Sequence, residues 1–169
     1  MHLYKQPCPV NFSEKKFTSS HVCQNSITTC WDYVSNMNTF QGSFWNLSKV
    51  EYVTPGQDHP SFCEGTYTNH HGPLLSANGI LSTVQAPTYR KMDYFYGSYI
   101  FTFRLFRPVA LIFELNESGE STQINTEITF FIHKRIPNFI HSLMGVVWRT
   151  MMRSLMAKLV LVRSNTPPC

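Results

Sequence analysis

The C-terminal part of the chain carries a long apolar stripe that repeats with the period of an α-helix. Its members recur in steps of three and four residues, and they are Phe139, Ile140, Leu143, Met144, Val147, Trp148, Met151, Met152, Leu155 and Leu159. Pro137 suits the first turn of this helix. An amphipathic helix of roughly 25 residues needs another element to cover its apolar side. We therefore predict that the stripe packs against a sheet, while Arg149, Arg153 and Lys158 face water.

Before this helix, β-prone runs alternate with turn signals. The runs span residues 12–24, 47–54, 61–70, 74–85, 89–96, 99–106, 109–115 and 122–133. Ser26 is a good N-cap for a short helix that ends near Ser35, and a second helical turn is predicted at residues 38–44. The order of elements predicts an α+β fold, in which an antiparallel sheet of about seven strands packs on the long helix.

The length of 169 residues fits a single domain. We expect an irregular lead-in at residues 1–10, one domain at residues 11–162 and a tail at residues 163–169. Hydrophobic residues make up 43% of the chain and charged residues only 14%, well below the roughly 25% charged that is usual for soluble domains. The surplus of apolar surface indicates either a large core or a lined cavity.

Charge and cysteine usage exclude several classes of protein. A net charge of +4 is too mild to predict nucleic-acid binding, and the helix cations are interpreted as a solvated face and not as a phosphate or lipid-headgroup site. Five cysteines without a Cys-x-x-Cys pair favour free thiols. We expect no signal peptide, because the first residues contain no apolar run, and no uncharged apolar run of about 18 residues is present. We expect a cytoplasmic protein with no transmembrane segment and no cofactor; the oligomeric state stays open.

Several segments resemble one known family. Trp31, followed by Asp32 and an apolar pair, is similar to the first-helix motif of START-like (SRPBCC) proteins of the polyketide cyclase/dehydrase and lipid-transport group. Residues 45–53, Gly65 with Thr66, Pro87 and the turn at residues 117–123 keep the spacing of that family. The similarity covers residues 15–160, approximately, and residues 99–108 look like extra length.

This resemblance implies the helix-grip fold, with a cavity between the concave sheet face and the last helix. Relatives of this kind include lipid carriers, hormone receptors and aromatase/cyclases, so the fold does not imply one chemistry.

Alternation along the strands and the phase of the helix select the side chains that we expect to line the cavity. They are Tyr94, Tyr96, Phe101, Phe103, Phe113, Phe130, Trp148, Met151 and Met152. Arg104 is predicted to supply a charge at the cavity mouth. The alternative is that these aromatic and apolar residues form an ordinary core.

Three residues are candidates for proton transfer. Glu114 lies in the apolar run at residues 109–115, where burial would raise the pKa of its carboxyl; alternation instead favours an outward orientation. Tyr94 would need a hydrogen-bond partner if buried. His71 is the third candidate, although it and His70 point to opposite sides of a strand and make a poor pair of metal ligands. No metal site is predicted.

Two functions therefore remain open from the sequence, besides a third interpretation as a protein-interaction domain whose cavity is vestigial. The first is binding of an apolar, lipid-like or polyketide-like small molecule in the cavity. The alternative is a biosynthetic enzyme of the polyketide cyclase or dehydratase type, which uses a Tyr, His or carboxylate in the pocket for proton transfer. Composition does not separate the two.

Overall fold

The computed structural model describes residues 7–37, 39, 49–72, 75–100 and 104–162. Two helices are described, α1 (Ile27–Ser35) and α2 (Asn138–Val162). The strands are β1 (Phe12–Cys23), β2 (Lys49–Val53), β3 (Tyr67–Gly72), β4 (Leu75–Gln85), β5 (Tyr89–Tyr94), β6 (Tyr99–Ile100), β7 (Phe106–Ser118) and β8 (Ser121–His133).

All strand pairs that the structure describes are antiparallel, and they form one curved, open sheet. Its order is β1-β8-β7-β5-β4-β3-β2, while the two-residue strand β6 pairs with β4 and β7. The sheet bends at two register shifts, between Leu81 and Thr83 on β4 and between Pro108 and Ala110 on β7. The helix-grip architecture predicted from the sequence is confirmed, with a short helix after β1 and a long helix at the end.

Helix α1 has the predicted bounds because its N-cap is built from the predicted residue. The backbone N–H of Thr29 donates to the Ser26 hydroxyl at 3.3 Å. Ile27, Cys30, Trp31 and Val34 form the buried side of α1. The second predicted helical turn, at residues 38–44, falls almost entirely outside the described residues.

One predicted strand begins later than expected. The run at residues 61–70 becomes a strand only at Tyr67, because the residues before it are held in a turn by side chains. Thr66 donates its hydroxyl to the Ser61 carbonyl at 2.7 Å, and the Ser61 N–H donates to the Thr54 hydroxyl at 2.9 Å. These bonds offer the backbone an alternative to a sheet ladder.

Helix α2 packs against the edge strand β1 and against α1. A Cβ added at Gly145 would lie 3.4 Å from the Phe17 ring, and the Tyr33 hydroxyl donates to the Leu155 carbonyl at 2.8 Å. The fully buried side of α2 consists of Trp148, Met152, Leu155, Met156 and Leu159.

The prediction that the whole apolar stripe faces the sheet is wrong for its N-terminal half. Phe139, Leu143 and Val147 are 69%, 54% and 43% exposed. The stripe is two rows wide in this half, and only the row that contains Ile140 and Met144 packs against the core. The other row therefore faces water.

Candidate functional site

The inner face of the sheet, which faces the two helices, carries polar side chains within an apolar surface. On β5 the alternating residues Arg90, Met92 and Tyr94 are all buried. Arg90 is paired with Phe113 and Met92 with Leu111, so these cross-strand partners share the inner face. Tyr52 from β2 and His70 from β3 approach the same region. We call Tyr52, His70, Arg90 and Tyr94 the interior polar cluster.

Arg90 is the buried cation of this cluster. Its side chain is 4% exposed, and its guanidinium carbon lies 4.0 Å from the centre of the Phe113 ring and 4.9 Å from that of Phe62. Such stacking is a favourable cation–π contact. Burial lowers the pKa of Arg90 to about 10, although the Tyr52 and Tyr94 phenols act in the opposite direction. The guanidinium therefore stays charged at neutral pH.

His70 and Tyr94 lie next to each other, with ring centres 6.1 Å apart at an angle of 63°. Burial, and secondarily the charge of Arg90, lower the pKa of His70 to about 4. Burial also raises the pKa of Tyr94, and the neighbouring Tyr52 adds to that rise. At neutral pH the cluster thus contains a guanidinium cation, a neutral imidazole and protonated phenols. Within the described part of the chain, His70 Nε2 has no hydrogen-bond partner.

This set of groups suits recognition of an electron-rich oxygen. The guanidinium and the two phenols are donors, and a site that excludes water strengthens their attraction for an oxyanion or a carbonyl. The neutral imidazole of His70 can accept a proton. Phe62, Met92 and Phe113 supply apolar surface around these polar groups.

Most of the residues predicted to line the cavity are buried where the structure describes them. Tyr94, Phe113 and Phe130 lie in strands, and Trp148 and Met152 lie in α2; Met151 is half-buried. The predicted residues Phe101 and Phe103 lie outside the described residues.

Two predicted pocket residues are on the surface. Tyr96 is 70% exposed, because β5 ends at Tyr94 and Gly97 turns the chain with φ of 96°, so alternation stops before it. Arg104 is exposed as well, has a φ of 53° and places its guanidinium carbon 5.4 Å from the centre of the Tyr99 ring.

Two of the three predicted proton-transfer residues also lie away from the interior polar cluster. Glu114 is exposed on the outer face of β7, as strand alternation indicated. The side chain of His71 is 42% exposed, and its Nε2 lies 3.3 Å from Glu51 Oε1. Its neighbour His70 is the buried histidine and lies in the interior polar cluster.

Sequence reasoning missed Tyr52, His70 and Arg90 as site residues. Tyr52 and His70 each fall on a recognisable alternation, since Val50 precedes Tyr52 and Thr68 precedes His70 on the same faces. Arg90 also alternates with Met92 and Tyr94. A charged residue in a strand usually lies on the surface, so the sequence did not predict that Arg90 is buried.

Two open grooves, of about 760 and 710 Å³, share Tyr89, Ile112 and Glu127 in their walls. Arg149 and Arg153 of α2 line the first groove together with Glu114 and Glu127. Within the described ranges no group of three His, Cys, Asp or Glu side chains is arranged to hold a metal ion. Neither described helix combines the length and hydropathy that crossing a bilayer requires.

Solved structures share this arrangement of strands and helices. Norcoclaurine synthase from Thalictrum flavum superposes with a TM-score of 0.65 at 15% identity, over 93% of this chain and all of its own (100%). The chain has the START-like helix-grip fold. Ara h 8.0201 matches the chain with a TM-score of 0.59 at 10% identity, over 88% of this chain and 99% of its own. CalU16 from Micromonospora echinospora matches with a TM-score of 0.53 at 13% identity, over 93% of this chain and 87% of its own.

These likenesses are structural, because no protein-family model matches the sequence and no curated protein sequence matches it significantly. Another structure of norcoclaurine synthase from Thalictrum flavum contains dopamine and hydroxybenzaldehyde. It matches with a TM-score of 0.62 at 14% identity, over 94% of this chain and 92% of its own. The START-like fold predicted from the sequence is therefore confirmed, and the ligand of this chain is a separate question.

Proposed function

We propose that this START-like chain binds a small molecule between the inner face of the sheet and α2. The molecule has an apolar, lipid-like or polyketide-like body, and it carries an acidic or carbonyl oxygen that is directed at Arg90. The observation that carries the proposal is the buried interior polar cluster.

The guanidinium of Arg90 is a positive charge inside the fold, stacked on the rings of Phe62 and Phe113. Oxyanions are preferred partners of guanidinium groups because planar N–H donors match their geometry. The pocket that this suggests is mostly apolar and has a few convergent polar groups, as ligand sites usually have. A structural neighbour, norcoclaurine synthase, has been solved with dopamine and hydroxybenzaldehyde, which supports binding of a small molecule by this fold.

Extraction of the purified protein with organic solvent, followed by mass spectrometry, tests whether a ligand is carried. We expect a recurrent small molecule with an apolar body and an acidic or carbonyl group. Protein without such a molecule is then titrated with fluorescent probes.

A pair of probes with the same apolar skeleton separates the two parts of the proposal. 1-Anilinonaphthalene-8-sulfonate carries an anion that N-phenyl-1-naphthylamine lacks. A hydrogen-bonded charge contributes about 1.5–3 kcal/mol, so Arg90→Met should weaken sulfonate binding at least about tenfold and leave the neutral probe nearly unchanged.

Lys91→Met is the matched control, since Lys91 is the next residue on β5 and reaches Asp93 on the other face at 2.9 Å. It removes the same charge and should change neither affinity. If neither probe binds wild type with saturation, the pocket proposal fails. If both bind and Arg90→Met changes neither affinity, the oxygen recognition by Arg90 fails.

The contact between His70 and Tyr94 favours a second candidate, a cyclase or dehydratase type of enzyme. An enolate bound beside His70 and Arg90 would raise the lowered pKa of the imidazole, so that His70 takes the proton from carbon while the phenol and the guanidinium stabilise the enolate. Turnover of a linear poly-β-keto thioester should then be lost in His70→Gln and Tyr94→Phe and kept in His71→Gln. No turnover by wild type that binds the neutral probe would leave binding alone as the function.

A further inference from the structure

Helix α2 exposes a row of large apolar side chains on the side that faces away from the sheet. Phe139, Leu143, Val146 and Val147 are 69%, 54%, 51% and 43% exposed. Their spacing of four, three and one residues places them on consecutive turns of one helix side. We call these four residues the α2 apolar row. Single exposed apolar residues are ordinary, whereas a contiguous patch of this kind marks an interaction surface.

The charges that α2 itself carries are all of one sign, although Arg149 and Arg153 also line a groove that contains Glu114 and Glu127. Arg135 precedes the helix, and Arg149 and Arg153 follow the row by one and two turns; all three are exposed. The sequence contains no Asp or Glu after Glu127. A partner that approaches this side of α2 therefore meets apolar side chains and cations, and it meets no acidic residue of the helix.

We propose that the α2 apolar row and its flanking arginines dock on the surface of a membrane that contains anionic lipids. The helix would lie in the plane of the interface, with its apolar row at the boundary between headgroups and acyl chains. This is the usual position of an amphipathic helix with a basic polar face. Arginines on such a helix extend to the headgroup phosphates while their stems cover apolar surface.

Charge complementarity favours this occupant over a second copy of the chain. Two copies that meet through the row would bring together two helices that carry only cations, and no acidic side chain of α2 would offset the repulsion. An anionic lipid surface attracts each of these cations instead, and the attraction falls off within a Debye length, about 8 Å at physiological salt.

Sedimentation with vesicles tests the proposal on the full chain. One set of vesicles is phosphatidylcholine alone, and the other is an equal mixture of phosphatidylcholine and phosphatidylglycerol. We expect partition onto the mixed vesicles, weaker partition at 0.5 M salt and little partition onto phosphatidylcholine alone.

Two pairs of substitutions separate the apolar from the electrostatic part. Leu143→Ser with Phe139→Ser should lower the partition coefficient about tenfold or more, because the apolar area that enters the interface is removed. Arg149→Gln with Arg153→Gln should lower it about fivefold for each charge. All four side chains are exposed, so circular dichroism and thermal unfolding should match wild type.

Matched controls carry the same changes elsewhere on the surface. Val53, which is 62% exposed at the end of β2, is replaced by Ser, and the exposed Lys16, which is paired with Glu127 at 2.8 Å, is replaced by Gln. Both controls should bind mixed vesicles like wild type. All variants should still bind the neutral probe of the pocket, so a failure of docking is distinct from a failure of the pocket.

Three outcomes would overturn the proposal. The first is equal binding of wild type to both kinds of vesicle, or to neither. The second is unchanged binding when Phe139 and Leu143 are both replaced by Ser. The third is a concentration-dependent dimer in sedimentation velocity that the same substitutions dissociate, without any vesicle binding, which would assign the row to a second copy of the chain.

Discussion

Burial of His70 should make the stability of this protein depend on pH in a defined direction. The folded state holds the pKa of His70 at about 4, whereas an unfolded histidine titrates near 6.5. Between these two values the unfolded chain binds more protons than the folded chain at this residue, so its contribution to stability falls as the pH falls. The contribution is fully present above about pH 6.5 and fully lost below about pH 4.

The magnitude follows from the difference of about 2.5 pKa units, which corresponds to roughly 3 kcal/mol. At pH 5 the unfolded histidine is mostly protonated and the folded one mostly neutral, so the loss is already about 2 kcal/mol. With a urea dependence of about 2 kcal/mol per molar, the midpoint of unfolding should fall by about 1 M between pH 7.5 and pH 5. Other titrating groups add their own effects.

Comparison with His70→Gln isolates this one residue. Urea unfolding is measured by circular dichroism at pH 7.5 and pH 5 for wild type and variant. The pKa values of His21 and His141 are also lowered by burial, but both residues are present in each protein and cancel. When the pH falls from 7.5 to 5, the unfolding free energy of wild type should decrease by about 2 kcal/mol relative to that of His70→Gln. His71→Gln, which changes a 42% exposed side chain, is the control and should keep the wild-type slope.

Parallel pH dependence in wild type and His70→Gln would refute the reasoning. It would mean that the protonated form of His70 contacts solvent or a hydrogen-bond partner. Water would then enter the interior polar cluster to a greater extent than its burial indicates.

Three further changes test the packing around the site by urea unfolding. Phe113→Ala should destabilise the fold by about 3–5 kcal/mol, because Phe113 is fully buried; a loss below about 1 kcal/mol would contradict its place in the core. Gly79→Ala should cost about 1–3 kcal/mol, since its Cβ would lie 2.7 Å from the Asp93 carbonyl oxygen, and unchanged stability would show that β5 can shift. Tyr33→Phe should cost about 1 kcal/mol by removing the 2.8 Å bond to the Leu155 carbonyl, and amide exchange in α1 should rise.

The type and order of the elements could be read from the sequence because periodicity is a property of the backbone itself. Alternation with period two predicted β8, and the steps of three and four residues predicted α2. Ser26 fixed the start of α1 through a local bond to Thr29. Such signals need only residues that are close in sequence.

The site was less accessible to this reasoning. Alternation predicts that the side chains of His70 and His71 lie on opposite sides of β3, but it does not predict which side is the interior. Arg90 gave no signal, because a charge in a strand is usually solvated and becomes an interior group only when Phe62 and Phe113 close over it.

The sequence by itself therefore determined the helix-grip order of strands and helices and the apolar stripe that runs along α2. The tertiary structure alone decided which histidine is buried, that Arg90 lies inside, and that Phe139 and Leu143 face water. The reason is physical: local periodicity sets which side chains share a face. The strand register and the area of β1 that meets α2 decide which face is covered.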